Sequence, residues 1–470
     1  MRGFPTRTNP MTESPAVHAV DVAILGGGAA GALVAQHLLA QGGVRIALVE
    51  PRGAPALGAA YSTARPEHLL NVNAARMSAF DDRPDDFVAF LAMQSGVDAS
   101  ALAGRFAPRR DYGRYLQAGL AEVDGHAALD LRATSAVDVV PAEGGYAIRL
   151  ADGEALSARV VVLAPGNLPA GLPGAGDALA SDQVVDAWQY DAVGAIDPAD
   201  DVCIVGAGLS MVDTLLTLQA NGHRGRIVAL SRHGLMPLSH APGTQPQAGG
   251  IDALLPLGAR ARMRLLREWA DAAVAQGGRW QDALERLRPQ VQVLWAAWPA
   301  SEQRRFLRHA VRHWDIHRHR IAPEVGDIVD SMRARGRFVL HAGRVGAFEA
   351  TADGRVRIDW HPRGGGAGAH CIVDRVVNAT GTEKRIDRAP GPLLPALQAR
   401  GLVRPGPHGI GIDTNASGQA LGADGQPVPG LWTLGALRIG TLWESVAMPE
   451  LRGQAAGVAA AARSALDAAR

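Results

Sequence analysis

A glycine-rich turn set between a strand and a helix constrains this chain more than any other feature, and the chain carries it twice. Val20–Leu25 is apolar apart from Asp21 and partly β-branched, as suits a buried strand. Gly26-Gly27-Gly28-Ala29-Ala30-Gly31 follows directly. Ala32–Ala40 reads as a helix, Gly42-Gly43 as its stop, and Val44–Val49 as a second strand that ends at Glu50. A second unit begins at Asp201. It reads as strand Val202–Val205, turn Gly206-Ala207-Gly208-Leu209-Ser210-Met211, helix Val212–Ala220, stop Asn221-Gly222 and strand Arg226–Leu230.

Each unit has a matching end. Arg159–Leu163 is a strand that runs into Ala164-Pro165-Gly166, and Asp374–Val377 one that runs into Asn378-Ala379-Thr380-Gly381. An alternating stretch with a turn precedes each: Tyr146–Leu150 with Ala151-Asp152-Gly153, and Arg355–Trp360 after Ala352-Asp353-Gly354. The same plan thus appears twice, which says more than either turn alone. Between about Ile251 and Arg335 the pattern changes. That region is rich in Ala, Leu, Arg and Trp at helical spacing and reads as several helices inserted into the second unit. Arg363–Gly368 reads as a surface loop, and the chain ends in an Ala-rich helix from about Glu450. Residues 1–19 read as a disordered polar tail, with Met1 or Met11 as the start.

Composition narrows the class. The 470 residues suffice for about three domain equivalents. Lys+Arg 47 against Asp+Glu 46 leaves a net charge of +1, which excludes nucleic-acid binding by bulk charge and an acidic disordered protein. Cys203 and Cys371 make neither a disulfide framework nor a Cys-rich metal site. No apolar run reaches the roughly 18 residues of a membrane span. The expectation is a soluble cytoplasmic α/β protein without nucleic-acid or membrane partners. Nothing in the sequence sets an oligomeric state.

The first turn has the context a dinucleotide site needs: strand before, helix after, and Glu50 roughly 20 positions beyond the last glycine. Gly26 allows the tight turn, Gly28 lets the backbone approach a pyrophosphate, and Gly31 lets helix and strand pack closely. Gly27, Ala29 and Ala30 complete the loop at the helix N-terminus. Glu50 is placed to accept from a ribose diol, and Arg52 either reaches the adenine or its phosphate or is a surface arginine. In the second turn Gly206 and Gly208 are in place, with Leu209 and Ser210 opening the helix, but Met211 replaces the third glycine. The acidic residue is missing there too. Ser231 and Arg232 suit a 2′-phosphate, which favours NADPH over NADH; if Arg232 is only a solvated loop residue, either serves. Two such sites suggest FAD in the first and NADPH or NADH in the second. A flavin-linked disulfide reductase would need a redox pair of cysteines, and Cys203 and Cys371 read as core thiols.

Several segments now carry a resemblance. They are Gly58-Ala59-Ala60-Tyr61-Ser62-Thr63, His68-Leu69-Leu70-Asn71-Val72-Asn73-Ala74, Met77-Ser78-Ala79-Phe80 and Pro108-Arg109-Arg110-Asp111-Tyr112-Gly113. The Gly206–Met211 turn, Leu442-Trp443-Glu444-Ser445 and Pro449-Glu450-Leu451-Arg452 complete the set. From about Val20 to Ala460 the chain resembles a bacterial FAD/NAD(P)-binding family similar to FAD-dependent urate hydroxylases and aspartate N-monooxygenases. The resemblance implies an NAD(P)H-consuming monooxygenase. NAD(P)H reduces FAD, oxygen adds at flavin C4a, and the (hydro)peroxide passes one oxygen to a small polar nitrogen-containing substrate. Urate hydroxylation to 5-hydroxyisourate leads. An amino-acid N-hydroxylase of the aspartate type and an NAD(P)H:acceptor flavin reductase are the alternatives. The partners are then a small molecule and molecular oxygen.

The resemblance also directs attention to residues outside the turns. The loop with Asn71, Asn73 and Met77 should pass near the flavin ring; otherwise the asparagines shape the loop and Met77 packs. Gly435 opens a turn, Gly435–Gly440, that should approach the flavin from the final strand, and Trp443 either walls the flavin or packs in a core. His240 sits beside the nicotinamide or in a loop. Arg318, His319 and Arg320 either hold an anionic substrate under the helical insertion, form a solvated basic face or contact NADP. His309, His313 and His317 recur at one helical face, where a metal site is weaker than an amphipathic helix with polar histidines. No catalytic side chain and no metal is assigned. The expected architecture is two Rossmann-like dinucleotide-binding domains plus a helical insertion. The FAD domain covers 20–197 and 382–470; the NAD(P) domain covers 198–381 with the insertion at about 251–335.

Overall fold

A computed structural model describes residues 18–124, 128–174 and 179–468. Two sheets carry the two glycine turns. The first runs in the order Gln419–Leu421, Pro427–Thr433, Ala155–Leu163, His18–Leu25, Ile46–Val49, Leu129–Arg132. His18–Leu25 pairs in parallel with Ile46–Val49 on one side and Ala155–Leu163 on the other. The second sheet is Ala369–Val373, Val356–Pro362, Phe338–Ala350, Ile227–Ser231, Val202–Val205, Arg375–Asn378, Val184–Asp186. Val202–Val205 is flanked in parallel by Ile227–Ser231 and Arg375–Asn378. These buried central strands read as continuous apolar runs because helices or meanders cover both faces. The fold is α/β with two Rossmann-like units, each with its β-meander.

The duplication reaches individual hydrogen bonds. Asp21, the one charge in the first strand, accepts from the Arg45 amide at 2.8 Å, and Asp201 accepts from the Arg226 amide at 2.9 Å. The two meanders differ in where they break. In the first unit the last meander strand, Ala155–Leu163, continues without interruption into the central sheet. In the second unit the first strand, Phe338–Ala350, is the continuous one: its start pairs in parallel with Ile227–Ser231 and its end antiparallel with Val356–Pro362. The change of partner falls between Ala342 and Gly343, and a register shift follows within the antiparallel part, between Val345 and Ala347.

Three boundaries differ from the sequence expectation. The tail expected over 1–19 lies outside the described residues except for His18 and Ala19, which begin the first strand. Val184–Asp186 pairs with Arg375–Asn378, so the chain enters the second sheet before the boundary expected at 197/198. The insertion forms helices Ala259–Ala275, Trp280–Leu287, Val291–Ala296, Ala300–His309, Val311–Arg318 and Pro323–Ala334. The helix expected to align His309, His313 and His317 is interrupted at Ala310, so they do not share one continuous helical face.

The insertion has its own aromatic core, in which Trp295, Trp298, Phe306 and Trp314 pack with Trp443 from the far end of the chain. The long helix Met448–Ala468 then returns to pack on Ala29–Gln41. Cys203 and Cys371 are free thiols buried together in the core of the second unit. No helix among the described residues is long and apolar enough to cross a membrane.

Candidate active site

Both turns are built so that only glycine fits at their first position. Gly26 has φ +114° and Gly206 φ +124°. A Cβ at Gly26 would lie 2.1 Å from the Ala164 carbonyl oxygen, and one at Gly206 2.0 Å from that of Ala379. The repeated Ala-Pro-Gly and Ala-Thr-Gly ends are therefore the partners of the repeated turns. A Cβ at Gly31 would lie 2.0 Å from the Gly26 oxygen, so the first helix sits directly on its turn. Met211, fully buried, stands at that place in the second turn, and the first intrahelical bond there is 3.3 Å against 2.9 Å in the first.

The residues fit dinucleotides. Helix Ala29–Gln41 starts at Gly28 and helix Leu209–Ala220 at Gly208; neither has a side-chain cap or an acid in its first turn. Both helix ends are thus left open to phosphate. A Cβ at Gly28 would meet Gly58 at 3.3 Å, while around Gly208 nothing lies within 4 Å. Glu50 is buried at the end of its strand and accepts from the Gly27 amide at 3.1 Å and the Arg52 amide at 3.2 Å. The Arg52 side chain stays exposed, with Ser62 at 3.5 Å. Ser231 accepts from the Gly234 amide, and Arg232 is exposed at the cavity edge.

A cavity of about 760 Å³ lies where the two units, the insertion and the final segment meet. It brings together many of the sequence-chosen residues: Gly208, Leu209 and Ser210, Arg232 and His240, Asn71 and Met77, and Arg318, His319 and Arg320. The Gly26–Gly31 turn, Glu50, Arg52, Gly206 and Ser231 are not among its walls. Gly435 is beside the cavity rather than on it; its amide is taken by Gln454, and its neighbours Ala436 and Leu437 form the wall.

Two expectations are corrected. Trp443 is no flavin wall: it stacks on Trp295, with centroids 4.7 Å apart, inside the insertion core. Asn73 forms no Asx cap on the short helix it precedes; its Oδ1 is buried without a hydrogen-bond partner among the described residues.

The junction is held by polar side chains that cross it. His68 is fully buried, with Nδ1 2.8 Å from Thr63 Oγ1 and Nε2 2.9 Å from Thr217 Oγ1 on the second nucleotide helix. Arg109 pairs with Asp213 of the same helix at 2.5 Å. His240 answers from the other side, its Nε2 donating to the Asn71 carbonyl at 2.9 Å. Burial, and then the charge of Arg320, pull the His240 imidazole down to about 4. Burial likewise lowers His68 and His319.

On the insertion side lie two buried carboxylates, Glu285, which no sequence motif marked, and Glu444, which lies in one of the family-like segments. Glu285 pairs with Arg76 at 2.8 Å and with Arg320. Burial alone would raise the Glu285 carboxyl, but Arg76 and Arg320 outweigh it and hold the group at about 2. Glu444 is buried with a left-handed φ of +62°. It takes Arg318 at 2.6 Å and the Trp314 indole N–H at 2.6 Å. Such a backbone in a non-glycine residue is strained and persists only where its surroundings fix it. Contacts like Glu285–Arg76 join residues far apart in the chain, so no local pattern announces them.

Comparison with known proteins follows the same outline. Residues 23–168 match the sequence model of a family described as FAD-NAD(P)-binding. No curated protein matches the chain by sequence. Among solved structures, the reduced form of ornithine hydroxylase from Pseudomonas aeruginosa is similar with a TM-score of 0.65 at 16% identity, over 96% of this chain and 100% of that one. Ornithine N-hydroxylase from Kutzneria sp. 744, solved with reduced FAD, NADP+ and L-ornithine, gives 0.67 at 14% over 95% and 99%. L-lysine 6-monooxygenase from Pseudomonas syringae gives 0.60 at 19% over 95% and 99%. At these identities the likeness establishes the fold: across nearly its whole length the chain shares the architecture of these three structures.

Proposed function

We propose that this chain is an FAD-dependent, NAD(P)H-consuming monooxygenase that hydroxylates a nitrogen of a small substrate. One observation carries the reading: the second glycine turn, the 71–77 loop and the final turn converge on one cavity at the junction of the two units. Support comes from three similar structures that are ornithine or lysine hydroxylases over their full length. Urate, the leading substrate from the sequence, has no counterpart among them, and the N-hydroxylase alternative takes its place.

In this reading the Gly26–Gly31 turn holds the FAD pyrophosphate, with Glu50 toward its adenosine. The Gly206–Ser210 turn holds that of the nicotinamide cofactor, with Ser231 and Arg232 toward a 2′-phosphate. Asn71 and Met77 line the flavin side. FAD held there would supply the redox chemistry between the nicotinamide cofactor and oxygen. The chain supplies placement and shelter: the insertion roofs the cavity and keeps water from the reacting centre. His240, at about 4, is too weak a base to hold an amine's proton at neutral pH. It ties the Asn71 loop to the second unit instead.

The test follows NADPH and NADH oxidation and oxygen uptake by the FAD-loaded protein, with aspartate, ornithine, lysine or urate added. One amine should raise oxygen uptake in step with cofactor oxidation and yield a hydroxylamine. Turnover with an artificial acceptor and no coupled oxygenation would replace this reading by the flavin reductase alternative. Loss of urate in step with NADPH would restore the hydroxylase that the sequence favoured.

A further inference from the structure

On the insertion side of the cavity, Arg76, Arg288, Arg318 and Arg320 gather around Glu285, Glu444 and Glu450. Glu285 is shared by Arg76 and Arg320, and Glu444 and Glu450 face Arg318 at 2.6 and 3.9 Å. Arg288 has no carboxylate within ion-pair distance among the described residues, so the group carries one cation in excess. Its Nη2 is buried without a hydrogen-bond partner. Arg320 is only 3% exposed, and its Nε and Nη1 are also unpartnered. Both residues line the cavity. Burial, and then the like charge of Arg318, lower Arg288 to about 10, as expected of a cation short of a counterion.

Buried donors without acceptors are costly and rare, and guanidinium nitrogens are shaped to receive a carboxylate. Arg288 opens the short helix Arg288–Gln290 and Arg320 lies in the connector after helix Val311–Arg318, and an anion reaching both from the cavity would satisfy both. We propose that Arg288 and Arg320 receive a carboxylate of the substrate, so that the hydroxylated amine belongs to a small organic acid and not to a diamine. The amine half of this statement rests on the N-hydroxylation reading; the carboxylate half stands on the cavity alone.

The experiment measures binding by calorimetry to the protein loaded with FAD and saturated with NADP+, which occupies the competing phosphate sites. The probes are succinate, aspartate and putrescine. Succinate has no nitrogen to hydroxylate, so its binding reads the anion site without turnover. Succinate and aspartate should bind and putrescine should not. Arg288→Gln should weaken succinate by about tenfold or more, and Arg288→Lys should recover most of that loss. Absence of carboxylate binding, equal binding of putrescine, or an unchanged succinate affinity in Arg288→Gln would overturn the proposal. Should that variant fail to fold, the choice between succinate and putrescine by the native chain decides alone. Aspartate that binds through Arg288 without oxygen uptake would sink aspartate hydroxylation and leave the anion site standing. A hydroxylated diamine would leave N-hydroxylation standing and overturn the carboxylate site.

Discussion

The two nucleotide turns agree where a pyrophosphate would lie and differ everywhere around it. Both begin with a glycine wedged against an alanine carbonyl, and both leave the following helix uncapped. Their second positions diverge together with the end of the next strand. Gly27 lies under Glu50, where a Cβ would come within 2.6 Å of the Glu50 Cβ; Ala207 accompanies Ser231. Their last positions are Gly31 and Met211. The repeated plan keeps the geometry of the turn and varies the end of the next strand and the packing of helix on sheet.

This comparison breaks most visibly at the middle glycine. Gly28→Val places a branched side chain against Gly58, in the space proposed for the FAD pyrophosphate. Flavin content of the purified protein, read by absorbance, should fall by about tenfold or more. Gly208→Val meets nothing within 4 Å of its Cβ, so FAD content and melting temperature should stay unchanged while NADPH oxidation is lost. Equal flavin loss in both variants would refute the assignment of FAD to the first turn.

The third positions should differ in stability. Gly31→Ala puts a Cβ 2.0 Å from the Gly26 oxygen, a backbone contact that cannot yield cheaply. Met211 is fully buried, and Met211→Ala should cost about 2–5 kcal/mol through the cavity it leaves. Urea unfolding should show both losses. A Met211→Gly protein as stable as the native chain would mean that the wider helix contact is no part of the second unit's packing.

The same contrast explains what was legible in the sequence. Turns, strands and the repeated ends are local patterns, and Asp21 and Asp201 each mark the start of a strand. The exchange of strand continuity between the meanders was hidden, because Ala133–Ser135 and Asp374 are short breaks in otherwise similar runs. At the site, Leu209, Ser210, Arg232, His240 and the 318–320 stretch line the cavity. Trp443 misled because an aromatic near a glycine turn suits a flavin wall and a core equally, and the insertion supplied the core. Arg288 and Glu285 were illegible because their meaning depends on Arg76 and Arg320, which are brought to them only by the fold.

Acid tests whether the units act separately. His68 reaches from the first unit to the second, and His240 from the second to the first. Above about pH 6.5 both imidazoles are neutral folded and unfolded, so they add no pH dependence. As pH falls toward 4, the unfolded chain takes up protons that His240, at about 4, refuses, and stability drops by up to roughly 3 kcal/mol. His68, lowered in the same direction, adds to the loss. Glu285, held at about 2, gives way only below about pH 4.5, in a separate window. His240→Gln should flatten the decline between pH 6.5 and 4 in urea unfolding. An unaltered slope would place the acid sensitivity away from the junction.

The smallest effect concerns the adenosine ends. Where the first unit has Glu50, the second has Ser231 followed by Arg232, exposed and without an ion-pair partner among the described residues. Nearby, Arg363 bonds to His233 at 2.8 Å. Burial, and then the charges of Arg363, Arg232 and Arg312, lower the His233 imidazole. That shift registers a field already positive before any ligand arrives. A 2′-phosphate would relieve it, whereas a ribose diol would gain little. Arg232→Ala should therefore raise the KM for NADPH by about tenfold and leave that for NADH nearly unchanged. Arg363→Ala should act in the same direction but less, since its guanidinium is partly engaged by His233. Raising the ionic strength should shrink both differences, because the group is exposed and screened. An equal rise of both KM values in Arg232→Ala would show that the arginine touches what the two cofactors share, and the divergence of the adenosine ends would then not be a choice between them.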